Sequence, residues 1–269
     1  MSASDADVAV AAAQAGAAVV RERYGTPLAR YEKAPTDFAT DADVEAERAV
    51  SGVLRAMRPG DACEGEELGA SGHASSDRTW LVDPLCGTLN FAARTPLAAV
   101  NVALRQGERV SVAACADPFA AEVFWTDGHG ARVRRGDRDE VLSPSAGDRL
   151  VEVNLDGPHP NADWFRAAWL LADPAFSRTF RPRVVATTLA LAWVAAGRRA
   201  AYVTDGRLRG SVHFSCGIAL CQAAGCRVTG LRGQPLHTGV GGLVVAADRD
   251  THAALVEFVG RRLATRGGG

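Results

Sequence analysis

The stretch Trp80–Phe91, WLVDPLCGTLNF, decides the fold because it joins a short apolar run, a proline and a Gly-Thr turn. The apolar residues predict a strand, and Pro84 ends it because proline has no N–H to give to a β ladder. The strand therefore presents Asp83 at its carboxyl edge. Gly87-Thr88 predicts the start of a helix, whose free N–H groups and positive dipole end attract anions.

The segments on either side of this stretch predict two halves of different organisation. Segments 97–105, 109–117 and 121–126 are short and β-rich, with polar turns between them, which predicts an antiparallel meander. We place a boundary within 128–145, which gives an N-terminal α+β half (1–145) and a C-terminal α/β half (146–269). In the second half we predict helices at about 161–172, 187–197, 214–224 and 250–263, and strands at 149–154, 200–204, 226–229 and 242–247.

Two helices are predicted before the deciding stretch. The first covers about 5–30, where alanine and valine dominate with intermittent charge. The second is capped by Thr40-Asp41-Ala42-Asp43 and ends near Pro59.

Composition excludes several classes of partner. The 269 residues carry 30 basic and 31 acidic side chains, a net charge of −1, so no overall field favours nucleic acid or an anionic membrane. The apolar stretch 8–20 lacks a basic flank and predicts neither a signal peptide nor a membrane span. Six cysteines without a CxxC pair predict reduced thiols, and we expect a cytoplasmic protein.

Three segments carry a family resemblance: Gly65-Glu66-Glu67, the stretch 80–91, and His213-Phe214-Ser215-Cys216-Gly217. Together they resemble the inositol monophosphatase family of magnesium-dependent small-molecule phosphatases, in family order over nearly the whole chain. The resemblance implies an α+β fold built as a layered αβαβα sandwich. It also implies a homodimer.

The resemblance further implies a set of site residues. Glu66 and Asp83 match two carboxylate ligands of magnesium, and the carbonyl of Leu85 matches a backbone ligand. Asp41 and Thr88 match the pair that positions the attacking water. Hard divalent cations take such oxygen ligands, and two metal ions clamp the attacking and leaving oxygens.

Two departures from the family pattern fall on one metal. Cys86 and Phe214 stand where the family has the aspartates of its second magnesium site. A thiolate is a poor magnesium ligand and a benzyl group is none. We therefore expect no required cofactor, with at most a single magnesium ion at a vestigial site of Glu66, Asp83 and Leu85.

The departures suggest cysteine chemistry as the leading hypothesis. The resemblance places Cys86, His213 and Phe214 together, and the helix that begins at Gly87-Thr88 would favour a thiolate and hold an oxyanion. Cys86 would take an acyl group from a thioester, carrier-bound or free, with His213 as base. Asp83 and Asp117 are both candidates to orient His213. The specific expectation is Dieckmann-type cyclisation and chain release in natural-product biosynthesis.

Two alternatives stay open. The first is a magnesium-dependent phosphomonoesterase of a small polyol or sugar phosphate, working through Glu66, Asp83, Asp41 and Thr88; chelation would inhibit it and thiol alkylation would not. The second is a catalytically silent family member with a binding role.

Overall fold

The computed structural model describes residues 3–34, 37–73, 75–157, 159–163, 165–206, 208–239 and 241–264. Within these ranges the helices are α1 (Asp5–Arg23), α2 (Asp41–Met57), α3 (Thr88–Ala92), α4 (Pro174–Thr179), α5 (Leu189–Ala195), α6 (Ser215–Ala223) and α7 (Arg249–Ala264), with a 3-10 helix at Ala167–Leu170. None of the helices in the described ranges is both long and apolar enough to cross a membrane.

The strands of the N-terminal part are β1 (Arg30–Ala34), β2 (Asp37–Thr40), β3 (Ala62–Gly65), β4 (Gly69–Gly72), β5 (Arg78–Cys86), β6 (Ala99–Gln106), β7 (Arg109–Asp117), β8 (Glu122–Thr126), β9 (Ala131–Arg135) and β10 (Arg138–Val141). Those of the C-terminal part are β11 (Leu150–Val153), β12 (Arg181–Arg183), β13 (Ala201–Thr204), β14 (Arg227–Thr229) and β15 (Leu243–Ala246).

The strands form three sheets. β1 and β2 pair as a hairpin, eight strands follow the order β10-β9-β8-β7-β6-β5-β3-β4, and five follow the order β12-β11-β13-β15-β14. The predicted meander is confirmed as β6, β7 and β8, which are consecutive antiparallel neighbours. β3 runs parallel to β5, so the residues that follow these two strands meet at one edge of the sheet.

The chain forms two compact units. The first comprises 1–141 together with 187–189 and 212–220, and the second comprises 142–186, 190–211 and 221–269. The two short returning segments place Thr188 and His213 in the same unit as β5. The halves 1–145 and 146–269 stay a prediction.

Some local predictions are wrong. A helix over 161–172 is replaced by the 3-10 helix and α4, because Asp173 caps Ala175 N–H and Pro174 suits the first turn of a new helix. The hairpin of β9 and β10, which turns at Gly136 in the left-handed region (φ 57°), lies within 128–145 and was not predicted. The first helix ends at Arg23, earlier than expected.

The core of the first unit lies between the eight-stranded sheet and the pair of helices α1 and α2. Ser4 and Asp7 form a capping box at the start of α1. Gly16 permits the close approach of α1 to its neighbours, since a Cβ there would lie 2.8 Å from Val50 Cγ2 and 2.9 Å from Val100 Cγ1. Both contacts are with stiff β-branched side chains.

Gly16→Ala should therefore destabilise the protein by about 1–3 kcal/mol, the usual cost of overpacking a core. Gly52 in α2 is the matched control, because nothing lies within 4 Å of a Cβ built there. Gly52→Ala should stabilise the protein by up to about 1 kcal/mol through helix propensity. Urea unfolding of both variants measures the change in the free energy of unfolding, which should fall for Gly16→Ala and rise for Gly52→Ala. Equal changes in the two variants would contradict the packing argument.

Candidate functional site

β5 ends in an irregular segment that presents Asp83. The pairing of β5 with β6 shifts register between Asp83 and Cys86, where Pro84 cannot donate to the ladder. The predicted helix start is confirmed: Gly87 has φ 107°, which glycine adopts without strain, and α3 follows it. Asp83 is fully buried at the edge of the sheet.

Glu66, Asp83 and His213 come together at this edge. Glu66 directly follows β3, and its N–H donates to the Val82 carbonyl at 3.1 Å. One ligand atom from each of the three side chains lies within 4.8 Å of the other two. This cluster contains both carboxylates predicted as metal ligands, together with the histidine that was predicted as a base.

His213 pairs with Asp83, which settles the choice between the two orienting candidates. His213 Nδ1 lies 2.9 Å from Asp83 Oδ2 and 3.6 Å from Glu66 Oε2. Asp117 instead accepts the backbone N–H groups of Phe119 and Ala120 in the turn after β7. Asp117 therefore has hydrogen-bond partners of its own in this turn, and of the two candidates it is Asp83 that lies beside His213.

Burial and mutual charge control the ionisation of the cluster. Burial and the negative charge of Asp83 raise the pKa of Glu66 to about 8. Burial by itself would lower the pKa of His213. The negative charges of Asp83 and Glu66 outweigh this effect and raise the pKa to about 9. Burial would raise the pKa of Asp83, yet the imidazolium of His213 lowers it. Asp83 and His213 are thus an ion pair beside a second carboxyl group.

Lys33, the single lysine of the chain, supplies a further positive charge. Its Nζ lies 2.8 Å from Glu66 Oε1 and 2.6 Å from Glu67 Oε1. Burial lowers the pKa of Lys33, but the two glutamates together raise it. Lys33 was not among the predicted site residues, because only the tertiary fold brings it to the two glutamates.

Thr88 pairs with Asp43, whereas Asp41 was expected. Thr88 Oγ1 donates to Asp43 Oδ1 at 2.8 Å or to the Leu85 carbonyl at 3.1 Å. Asp43 Oδ2 accepts the N–H and hydroxyl of Thr40, and burial raises the pKa of Asp43. Asp41 forms an ion pair with Arg23. The carboxylate that pairs with Thr88 is therefore that of Asp43 and not that of Asp41.

Glu47 fixes the loop that carries Glu66. It lies one turn after Asp43 in α2, and its two carboxylate oxygens accept the N–H groups of Glu67 and Leu68. Gly65 is required beside it, because a Cβ there would overlap the Glu47 carboxylate. Asp43 and Glu47 are both buried on one face of α2, whereas Asp41 and Glu45, which have the same i, i+4 spacing, are not, so the spacing alone does not identify the buried pair.

Cys86 is held as a thiol. Its Sγ accepts hydrogen bonds from Thr188 N (3.2 Å) and Thr188 Oγ1 (2.9 Å), and Asn101 Nδ2 donates to that hydroxyl. Burial and the charge of Asp83 raise the pKa of Cys86 well above its ordinary value and outweigh the bonds from Thr188. The expected thiolate is wrong, because a five-residue helix cannot offset this negative environment. Among the described contacts none joins Cys86 to His213.

Phe214 completes the segment that precedes α6. Its side chain is buried, and its carbonyl accepts the N–H of Ile218 at 2.9 Å in the first turn of the helix. An apolar ring therefore stands where an aspartate was expected from the resemblance. The segment is anchored directly after His213.

Comparisons with known proteins support the phosphatase resemblance. The sequence matches the inositol monophosphatase family over residues 2–263. It is 30% identical over 237 residues to an inositol-1-monophosphatase of Caulobacter vibrioides, covering 86% of this chain and 91% of that one. It is 31% identical over 258 residues to the Nus factor SuhB of Escherichia coli K12, covering 94% of both chains.

Solved structures of the same family share the fold of this chain. The extragenic suppressor protein SuhB from Bartonella henselae superposes with a TM-score of 0.81 at 24% identity, covering 94% of this chain and 97% of that one. This likeness confirms the predicted α+β class with the layered sandwich of the family.

These similarities contradict the leading functional hypothesis. The relatives are named inositol monophosphatase and SuhB, so cysteine-dependent acyl transfer with Dieckmann cyclisation is wrong for this chain. The acyl-thioester partner belonged to that hypothesis and is withdrawn with it. The expectation that no cofactor is required is also wrong, because Glu66, Asp83 and His213 form a cluster able to hold a metal ion.

Cys86 should resist alkylation, because its raised pKa leaves almost no thiolate at pH 7.5. Iodoacetamide should modify Cys86 at least about tenfold more slowly than it modifies glutathione, measured by peptide mass mapping. All six cysteines should react in the urea-unfolded chain, which serves as the control. Rapid stoichiometric labelling of Cys86 in the folded protein would contradict the described electrostatics.

Proposed function

The chain belongs to the inositol monophosphatase family, and from this premise we propose that it is a divalent-cation-dependent phosphomonoesterase of a small polyol phosphate. The observation that carries the proposal is the carboxylate pair of half-buried Glu66 and fully buried Asp83 at the carboxyl edge of β3 and β5. The name of the Caulobacter relative supports an inositol phosphate as the first substrate to test.

The oxygen ligands of the site fit the magnesium ion that the family implies. Two carboxylates offer the hard oxygen ligands that magnesium takes, and the Leu85 carbonyl lies two residues after Asp83 in the same irregular segment. Asp83 Oδ1 is buried and receives no hydrogen bond from any residue that the structure describes. Such an orphaned oxygen is costly unless a cation or water satisfies it. Magnesium, when bound, supplies positive charge to the phosphoryl oxygens.

Asp43 and Thr88 are proposed to hold the attacking water. The Thr88 hydroxyl donates to Asp43 in the observed pair, so its lone pairs are available to accept a hydrogen bond from a water molecule. Asp43 is buried in the first turn of α2, which keeps this orientation fixed. The pair would orient the water toward the phosphorus atom, and such positioning of a nucleophile lowers the activation barrier substantially.

One cation is proposed in place of the family pair. Cys86 directs its sulfur to Thr188, and Phe214 is a buried apolar ring, so neither supplies a carboxylate. We also propose a cytoplasmic location, which the six free cysteines support. A homodimer, as the family resemblance implies, belongs to the same proposal.

Phosphate release from inositol 1-phosphate, with glycerol 2-phosphate as a second substrate, tests the function. Chelation by EDTA should abolish release and added Mg²⁺ should restore it, whereas pretreatment with iodoacetamide should leave it within about twofold. Glu66→Gln should lower kcat/KM by at least about a hundredfold, because it removes one of the two carboxylate ligands. No metal-dependent release from either substrate would refute the proposal.

The choice between two neighbouring aspartates gives a sharper test. Asp43→Asn should lower kcat by about 10²–10⁴-fold, the usual range for a group that handles the proton of the nucleophile. Asp41→Asn, two residues away in the same helix, removes only an ion pair with Arg23 and should change kcat by less than about threefold. Thermal unfolding of both variants controls for misfolding. The reverse order of effects would restore Asp41 to the water-positioning role.

A further inference from the structure

The spacing of the cluster fits a single metal ion with a nitrogen ligand. His213 Nδ1 is 2.9 Å from Asp83 Oδ2 and 3.6 Å from Glu66 Oε2. Two adjacent ligands held about 2.1 Å from one ion are separated by about 3.0 Å in octahedral and about 3.4 Å in tetrahedral geometry. The two distances from His213 Nδ1 therefore lie close to those between ligands of one ion, and one oxygen of each carboxylate lies within 4.8 Å of the other.

Asp83 provides an independent sign that a cation belongs there. Its side chain is fully buried, and Oδ2 faces His213 Nδ1. Oδ1 of the same carboxylate receives no hydrogen bond within the described part of the chain, so this carboxylate keeps an acceptor that a cation can satisfy. Lys33 binds Oε1 of Glu66, which leaves Oε2 directed to His213. The His213 side chain is 42% exposed and that of Glu66 is 20% exposed, so an ion can enter from solvent.

The donor set is not the one that magnesium prefers. Magnesium binds oxygen ligands almost exclusively, whereas imidazole nitrogen favours first-row transition metals. The buried Phe214 ring and the first turn of α6 anchor the segment directly after His213, which limits its freedom to turn away from the carboxylates.

We propose that Glu66, Asp83 and His213 form a transition-metal site in which His213 Nδ1 is a direct ligand. The inference rests on the proposed function, since the same two carboxylates hold the cation there. It adds that the ion is a first-row divalent transition metal, such as Mn²⁺ or Co²⁺, in preference to Mg²⁺. The ion takes the place of the proton that Nδ1 shares with Asp83, and this proton leaves to solvent.

Metal binding to the intact protein tests the proposal without reference to turnover. Calorimetric titration with Co²⁺ and with Mg²⁺ should show one tight Co²⁺ site, and His213→Gln should lower the ratio of Co²⁺ to Mg²⁺ affinity by at least about tenfold. His129→Gln is the matched control, since His129 is exposed and distant in sequence from the cluster. It should leave both affinities unchanged.

A spectroscopic readout covers the case in which His213→Gln does not fold. Electron spin echo modulation of the Mn²⁺-loaded wild-type protein should show coupling to one ¹⁴N nucleus, which persists in His129→Gln. Absence of this coupling, or an affinity ratio that is independent of His213, overturns the proposal.

The phosphatase assay separates this inference from the proposed function. Mg²⁺-dependent phosphate release without nitrogen coupling would refute the metal site and leave the phosphomonoesterase standing. Nitrogen coupling with a His213-dependent affinity ratio, but without phosphate release under any cation, would support the site and refute the proposed activity.

Discussion

The chemistry of the first unit depends on one physical constraint, the complete burial of the Asp83 carboxylate. Burial of a charge costs several kcal/mol unless other charges or hydrogen bonds compensate it. His213 compensates one oxygen, and Asn101 approaches the same oxygen at 3.5 Å. Glu66 adds a second acidic group beside it, and burial together with the negative charge of Asp83 raises the pKa of Glu66.

The backbone around this cluster is arranged to hold acidic groups close together. α2 places the buried pair Asp43 and Glu47 on one face, where Glu47 accepts two backbone N–H groups of the loop after β3. The bare backbone of Gly65 allows that loop to lie against Glu47. The acidic edge is therefore built from a helix face and two parallel strand ends, and two hydrogen bonds from Glu47 tie the loop that carries Glu66 to α2.

The sequence predicts the parts of this arrangement that local chemistry determines. Pro84 and Gly87 mark the end of β5 and the start of α3, and the family resemblance brings Glu66, Asp83 and His213 to one place. Lys33 and Thr188 could not be predicted, because only the tertiary fold brings them to Glu66 and Cys86. Asp41 and Asp43 are both acidic and both in the first turn of α2, so only the rotation of the helix distinguishes them.

The error over Cys86 has an electrostatic cause. A nucleophilic thiolate requires a positive environment, whereas Cys86 faces the negative charges of Asp83 and Glu66. The positive charges of Lys33 and His213 are already paired with carboxylates. A cluster that attracts a divalent cation is, for the same reason, a cluster that keeps a neighbouring thiol protonated. The replacement of an aspartate by cysteine therefore removes one negative charge from a crowded acidic site, and this loss explains the substitution without a new nucleophile.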